Sequence, residues 1–261
     1  MNDPSDSIDL AEAFQRLFEI APALDAASLA AVYGVRHEVY CRDLGWEPLR
    51  ENGQESDDYD RHSLHCLLTK RDTGEAIGCI RVILTRADDP DYPLPMEDSC
   101  REVIDRAIAD PTRMPRNTIC EVSRLAVINT YRQRKGETAA PVSITDDDFA
   151  PRGGVQRFPY IPVSLYLSSI AIGNLFGMDN LLVLTEPRLA SHFSRIGFHI
   201  HQIGGTIEHR GTRAPSLLSA SKTVPGLRPA MQSLYRLIEA KLETAFRQHP
   251  SALLQLPPKN T

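Results

Sequence analysis

Charged residues set inside apolar segments are where this sequence can do chemistry. Arg36 falls within Val35-Arg36-His37-Glu38-Val39-Tyr40 and Arg81 within Ile80-Arg81-Val82-Ile83. Glu121, Ser123 and Arg124 fall within Cys120-Glu121-Val122-Ser123-Arg124-Leu125-Ala126-Val127. Between the first two segments lie the Leu44-Gly45-Trp46 turn and an acidic loop, Glu55-Ser56-Asp57-Asp58-Tyr59-Asp60. A charge on a core-facing segment is tolerated mainly when it is paired. Arg36, Asp57, Asp60, Arg81, Glu121 and Arg124 are therefore expected within reach of one another. A network of this kind offers proton transfer and the holding of charged substrates, and such networks are candidate active sites. The competing reading is structural: Glu121 and Arg124 pair with Arg36 or Arg81, while Asp57 and Asp60 anchor the same two arginines. Trp46, the only tryptophan, either lines a pocket or packs in the core.

Other chemistries are thinner. Cys120 beside Glu121, with His65 elsewhere, is a conceivable thiol and base, but buried strand cysteines are usually inert. His199 and His201 alternate on one expected strand face, with His209 nearby, and ordinary half-exposed histidines explain them better than a metal site. No G-x-S-x-G elbow is present, so a serine hydrolase is not expected.

The elements that must position the charged set follow from periodicity. Residues 8–20 and 26–42 read as helices, the second placing Arg36 and Tyr40 on its core-facing side. Residues 64–68 and 76–84, joined by Asp72-Thr73-Gly74, read as a hairpin. A helix is expected near 97–109, a central strand over 119–127, a buried helix over 162–176 and a strand over 181–185. A helix over 187–195, strands near 198–203 and 206–209, and a closing amphipathic helix over 228–247 complete the pattern. Residues 134–156 lack a sustained period and read as a flexible insertion. Alternating helices and strands around one mixed sheet make this an α/β chain with no internal repeat and no clean domain boundary.

Bulk properties narrow the classes. A net charge of −5 over 261 residues argues against a dedicated nucleic-acid binder. The five cysteines, Cys41, Cys66, Cys79, Cys100 and Cys120, form no CxxC pair and suit a reducing compartment. The N-terminus lacks the basic-then-apolar order of a signal peptide, so a cytoplasmic location is expected. The uncharged stretch 158–178 is diluted by prolines, serines, Gly173 and Asn174, and is expected in a core rather than across a bilayer. Association with a membrane surface stays compatible with it.

The ordered set Arg36…Tyr40…Gly45-Trp46…Glu55-x-Asp57-x-Tyr59-Asp60, then Arg81, then Glu121-x-Ser123-Arg124, resembles the acyl-homoserine lactone (autoinducer) synthases. Overall the chain is similar to the exosortase-associated (PEP-CTERM system) acyltransferases, through Val35 to Cys41, Tyr59-Asp60-x-x-Ser63-x-His65 and His209-Arg210-Gly211-x-Arg213-x-Pro215. The resemblance implies one acyltransferase domain over 1–261 with a GNAT-like fold, a splayed mixed sheet flanked by helices. It implies transfer of an acyl chain, a fatty one, from an acyl carrier protein or coenzyme A thioester to a small amine or amino acid. No tightly bound cofactor and no metal are implied. Arg36, Tyr40, Trp46, Asp57, Asp60 and Arg81 would form the substrate-binding set. The pyrophosphate loop of GNAT enzymes is matched only in its first half by Gln133-Arg134-Lys135-Gly136. A basic rim of Arg132, Arg134 and Lys135, with Gly136, would meet the donor or its carrier protein.

Aminolysis of a thioester needs a neutral amine, a stabilised oxyanion and a thiol leaving group. Glu121 is the candidate base, with Ser123 and Arg124 orienting it or holding a substrate carboxylate. Backbone N–H groups near Arg124 would serve the oxyanion if the strand bulges there. A lactone-forming synthase proper and a catalytically inactive acyl-binding or partner-binding protein of the exosortase system are the alternatives.

Overall fold

The computed structural model describes residues 9–132, 151–152, 155–156 and 159–250. Its centre is an eight-stranded sheet in the order β1-β2-β3-β4-β7-β10-β8, with β9 pairing β10. The strands are β1 (Phe18–Pro22), β2 (Ser63–Lys70), β3 (Ala76–Leu84), β4 (Ile119–Val127), β7 (Asn180–Thr185), β8 (Ile200–Gln202), β9 (Ile207–Glu208) and β10 (Thr212–Ser219). A separate pair, β5 (Pro151–Arg152) and β6 (Val155–Gln156), lies outside it. All main-sheet pairings are antiparallel except β4 with β7.

Helices cover both faces. On one face lie α1 (Leu10–Leu17), α5 (Tyr160–Phe176) and α8 (Pro229–Gln248), joined by Phe14, Leu68, Ile80, Val122, Ile170 and Leu234 in one apolar cluster. α5 is buried from Pro162 to Gly173, which accounts for its lack of charge. Among the described residues no helix is long and apolar enough to cross a membrane.

The other face carries α2 (Ala26–Arg36) and the 95–118 segment, each over its own apolar cluster. Val32, Val35 and Tyr40 pack on Cys79 and Ala126. Leu94, Met96 and Cys100 pack on Ile83, Ile119 and Leu182. Arg81, Glu121 and Ser123 stand on this face between the two clusters, because the β3–β4 register sets Arg81 opposite Ser123 and Ile83 opposite Glu121. The short α3 (Pro95–Ser99) and α4 (Asn129–Arg132), with α6 (Pro187–Arg195) and α7 (Ala220–Gly226), complete the helices.

Most expected elements are present, and α6 has the expected bounds. Three expectations are corrected. Helix 8–20 ends at Leu17, because Phe18 and Ile20, only 9% and 1% exposed, alternate with the more accessible Glu19 and Ala21 and pair with β2. The 97–109 helix is only the short α3, since Val103 and Ile104 pack inward and Ile104 bridges Gly204. The helix over 26–42 loosens into a π-helical turn over His37–Asp43. Strand β10 was not expected, since Pro215, Ser216 and Ser219 break its apolar run, yet it lies between β7 and β8. Of the 134–156 insertion, residues 134–150, 153 and 154 lie outside the described residues.

Candidate active site

Two strand irregularities open the site. The β4–β7 pairing ends at Val122 with Val183, and beyond it the two strands are no longer registered. Opposite β3, Cys79 pairs with Ala126 and Arg81 with Ser123, so Arg124 and Leu125 together face Ile80 as a β-bulge. Arg124 has φ 50°. The expected bulge is therefore present where β4 and β7 part. A cavity of about 340 Å³ fills this gap, lined on its charged side by Glu121, Ser123, Arg124, Arg81 and Asp57. Tyr166, Val183 and Leu189 line its apolar side.

The π-helical turn brings the aromatic wall. Leu44 N–H bonds to Val39 O at 3.0 Å, five residues back, and Gly45 reverses the chain with φ 60°. Tyr40 O then accepts from both Trp46 N–H (2.8 Å) and Glu47 N–H (3.0 Å). The Tyr40 ring stacks on Trp46, and its hydroxyl donates to Leu125 O on the bulge at 2.8 Å. Tyr40, Trp46 and Glu47 all line the cavity.

Behind this wall the arginines are paired. Arg36, with no exposed side-chain surface, donates through Nε to Glu55 (2.5 Å) and through NH1 to Asp60 (2.7 Å). Arg81 NH1 donates to Asp57 (2.6 Å) and Asp60 (2.8 Å), and its Nε donates to Ser123 Oγ (3.0 Å). Arg124 reaches Glu55 at 3.2 Å and Asp57 at 3.0 Å. The aspartates are fixed locally as well. Asp57 accepts from Tyr59 N–H, and Asp60 from Asp57 N–H, capping the 3-10 turn Asp58–His62. Burial disfavours the Asp60 and Glu55 carboxylates, but hydrogen bonds from Arg36 and the charges of Arg36, Arg81 and Arg124 outweigh it and hold both pKa values below the ordinary range.

Glu121 stands apart from this network. Among the described residues it has no ion pair; its Oε2 accepts from Met96 N–H in the first turn of α3 at 2.7 Å. Burial raises its pKa to about 7, with the neighbouring Glu97 adding to the rise and Met96 N–H, Arg81 and Arg124 acting against it. The structural alternative, an ion pair of Glu121 with Arg36 or Arg81, is not seen among the described residues. The three guanidiniums are taken up by Glu55, Asp57 and Asp60, leaving Glu121 as a cavity-facing carboxyl poised near neutrality.

Arg36, Tyr40, Trp46, Asp57, Asp60, Arg81, Glu121, Ser123 and Arg124 thus converge on one region. Arg132 does not join them: it pairs with Asp43 at 3.0 Å and its side chain is 8% exposed, so it does not stand on an open rim. Arg134, Lys135 and Gly136 lie outside the described residues. Cys120 faces the α5 cluster, where burial pushes its thiol up, and His65 is buried with its pKa lowered to about 3 by burial. Among the described residues no group of histidine, cysteine and acidic side chains is placed to hold a metal.

The buried Glu55 and the cavity-lining Glu47, Arg210 and Arg213 were among the residues not assigned from sequence. Charge balance is the signal that finds Glu55, since two buried arginines and the half-buried Arg124 need a third carboxylate besides Asp57 and Asp60. Arg210 and Arg213 sit within 6 Å of the Trp46 ring, at 5.7 and 5.9 Å, and were visible only as part of a motif.

Comparisons with known proteins bear on the fold and the family. An acetyltransferase (GNAT) domain model matches residues 35–140. An acyl-homoserine-lactone synthase of Vibrio anguillarum is 32% identical over 223 residues, covering 85% of this chain and 95% of that protein. The structure of a CoA-dependent acyl-homoserine lactone synthase, BjaI, with SAM and isopentyl-CoA is 16% identical with a TM-score of 0.54, covering 86% of this chain and 89% of that one. FeeM, an N-acyl amino acid synthase from uncultured soil microbes, is 16% identical with a TM-score of 0.50, covering 82% of this chain and 97% of that one. At these identities the two structural likenesses carry the fold.

Proposed function

The chain belongs to the acyl-homoserine-lactone synthase family and is an acyltransferase, and from that premise we propose that it moves a fatty acyl group from a thioester to the α-amine of an amino-acid acceptor, with Glu121 as general base. The observation that carries this reading is Glu121 itself, a cavity-lining carboxyl whose pKa burial raises to about 7, with no ion-pair partner among the described residues. An α-ammonium group titrates near 8. A base within about one unit of it exchanges the proton almost without cost, which is the match general-base catalysis favours. The freed amine attacks the thioester carbonyl. The tetrahedral oxygen takes hydrogen bonds from backbone N–H groups of the Arg124–Leu125 bulge, the thiol leaves carrying the proton held by Glu121, and the second proton of the attacking nitrogen passes to the freed Glu121 carboxylate as the amide forms. Ser123, held by Arg81 Nε, orients the acceptor beside Glu121. Arg36, Arg81, Asp57 and Asp60 keep β4, the acidic loop and the α2 end in one geometry.

The donor is an acyl carrier protein or coenzyme A thioester, and no tightly bound cofactor takes part. A second reading has the same transfer on S-adenosylmethionine followed by ring closure to an acyl-homoserine lactone. The 32% identity across nearly the whole Vibrio anguillarum synthase favours it. The resemblance to exosortase-associated acyltransferases favours a place beside that system and carries no product with it. Mass spectrometry of lipid extracts from bacteria expressing the wild type and Glu121→Gln tests both. A new acylated amine made only by the wild type is expected, and a lactone or an open chain decides between the two products. Identical extracts from the two strains would contradict the transferase reading of Glu121.

A further inference from the structure

Among the described residues, two other than glycine have left-handed backbone, Arg124 (φ 50°) and Arg210 (φ 56°). An L-residue adopts this conformation at a cost, and such strain collects at functional sites. Both guanidiniums meet at a single atom. Glu47 Oε1 lies 2.6 Å from Arg210 NH2 and 3.5 Å from Arg124 NH2. All three residues line the cavity that holds Glu121. They come from three separate pieces of chain: the β4 bulge, the turn between β9 and β10, and the irregular loop after the π-helical turn.

The pairing differs in kind from the buried network. Arg36 is sealed, whereas Arg210, Arg124 and Glu47 keep 29%, 20% and 20% of their side chains exposed. Arg210 also donates to Trp46 O at 3.1 Å, and Arg213 donates to Arg210 O at 3.4 Å, bracing the turn that aims it. Glu47 therefore fills a notch between two cavity arginines from a loop without regular structure. A carboxylate arriving from solvent can replace it at small electrostatic cost, because one anion leaves as another enters. An amino acid carries its carboxylate one carbon from its amine. With the amine at Glu121, the carboxylate stays inside the cavity that Arg124 and Arg210 also line. Arg36, Arg81 and Arg124 all hold carboxylates of Glu55, Asp57 and Asp60, whereas the Arg210 guanidinium pairs with the half-exposed Glu47, so the notch beside Arg210 is the place to receive it.

We infer that Arg210, with Arg124, reads the α-carboxylate of the acceptor, and that Glu47 is an internal stand-in displaced when the acceptor binds. This rests on the amino-acid acceptor proposed above. The test is steady-state kinetics at saturating acyl thioester, with the standard amino acids and S-adenosylmethionine each compared with its carboxamide or decarboxylated form. For the wild type, the acceptor that reacts should be preferred to its carboxylate-free form about tenfold or more. Arg210→Gln should raise the KM for that acceptor about tenfold, hold kcat within about twofold and abolish the preference. Arg210→Lys should restore part of it, since it returns the charge without the fork. Glu47→Gln should act in the opposite direction, lowering the acceptor KM several-fold by removing the competing anion. A preference retained in Arg210→Gln, or a KM raised alike by Glu47→Gln, overturns the inference and leaves the transferase reading standing. A wild type that acylates none of the carboxylate-bearing acceptors overturns both.

Discussion

A buried carboxyl without a guanidinium against it holds its proton more tightly than one that is paired, and this separates Glu121 from Glu55 and Asp60. The difference has a consequence for stability. The Glu121 pKa rises from its ordinary 4.5 to about 7 on folding, so the folded state binds the proton better than the unfolded chain. The stabilisation this gives is fully present below about pH 4.5 and is lost as pH rises through about 7. Glu121→Gln, which mimics the neutral form, should gain stability relative to the wild type between pH 5 and pH 8, by up to about 3 kcal/mol. Urea denaturation at the two pH values checks this, and a pH-independent difference would contradict the burial of an unpaired carboxyl. At this scale the paired residues were the legible ones. Arg36, Arg81 and Arg124 announced themselves as charges inside apolar runs. Glu47 and Glu55 did not, because a carboxylate in a polar loop has the same surroundings in sequence whether it faces solvent or a guanidinium.

Three local distortions do the positioning. The π-helical turn delivers two consecutive N–H groups to Tyr40 O, the bulge turns Arg124 into the cavity, and the parting of β4 from β7 makes room for a substrate. The bulge can be tested separately from the charge it carries. Arg124→Ala and Arg124→Gly both remove the guanidinium, but alanine keeps the cost of φ 50° and glycine does not. The glycine variant should therefore be the more stable by about 1 kcal/mol, read as a difference in urea midpoint at equal m-value. Equal stabilities, or a more stable alanine variant, would mean that the backbone relaxes away from the left-handed region. Regular elements were readable where one period dominated, as in β3, β4 and α6. Residues 18–20 failed because Phe18 and Ile20 satisfy a helix and a strand pattern equally until β2 supplies the partner. Strand β10 was hidden because Ser216 and Ser219, only 0% and 9% exposed, look like surface residues in sequence.

Over the whole molecule, the site exists only because distant segments share one sheet face. Arg36 comes from α2, Asp57 and Asp60 from the acidic loop, Arg81 from β3 and Glu121 from β4, and the antiparallel β2–β3–β4 register brings them together. The two apolar clusters on that face flank the charges, and the α5–α8 layer closes the other. The splayed α/β sheet was legible through the ordered residue set that resembles the family. The separation of Glu121 from the arginine network was not, since it depends on three-dimensional pairing with Glu55. What the assembled face should do is turn over a thioester with a titrating base.

The most direct test is the pH dependence of kcat for acyl transfer from a carrier-protein or coenzyme A thioester, measured on the purified wild type and on Glu121→Gln. With Glu121 as base, the wild-type rate rises with an apparent pKa near 7, and Glu121→Gln loses that limb together with about 10²–10⁴-fold in rate. A Glu121→Gln enzyme that keeps both the rate, to within about threefold, and the limb would contradict a catalytic role for this carboxyl.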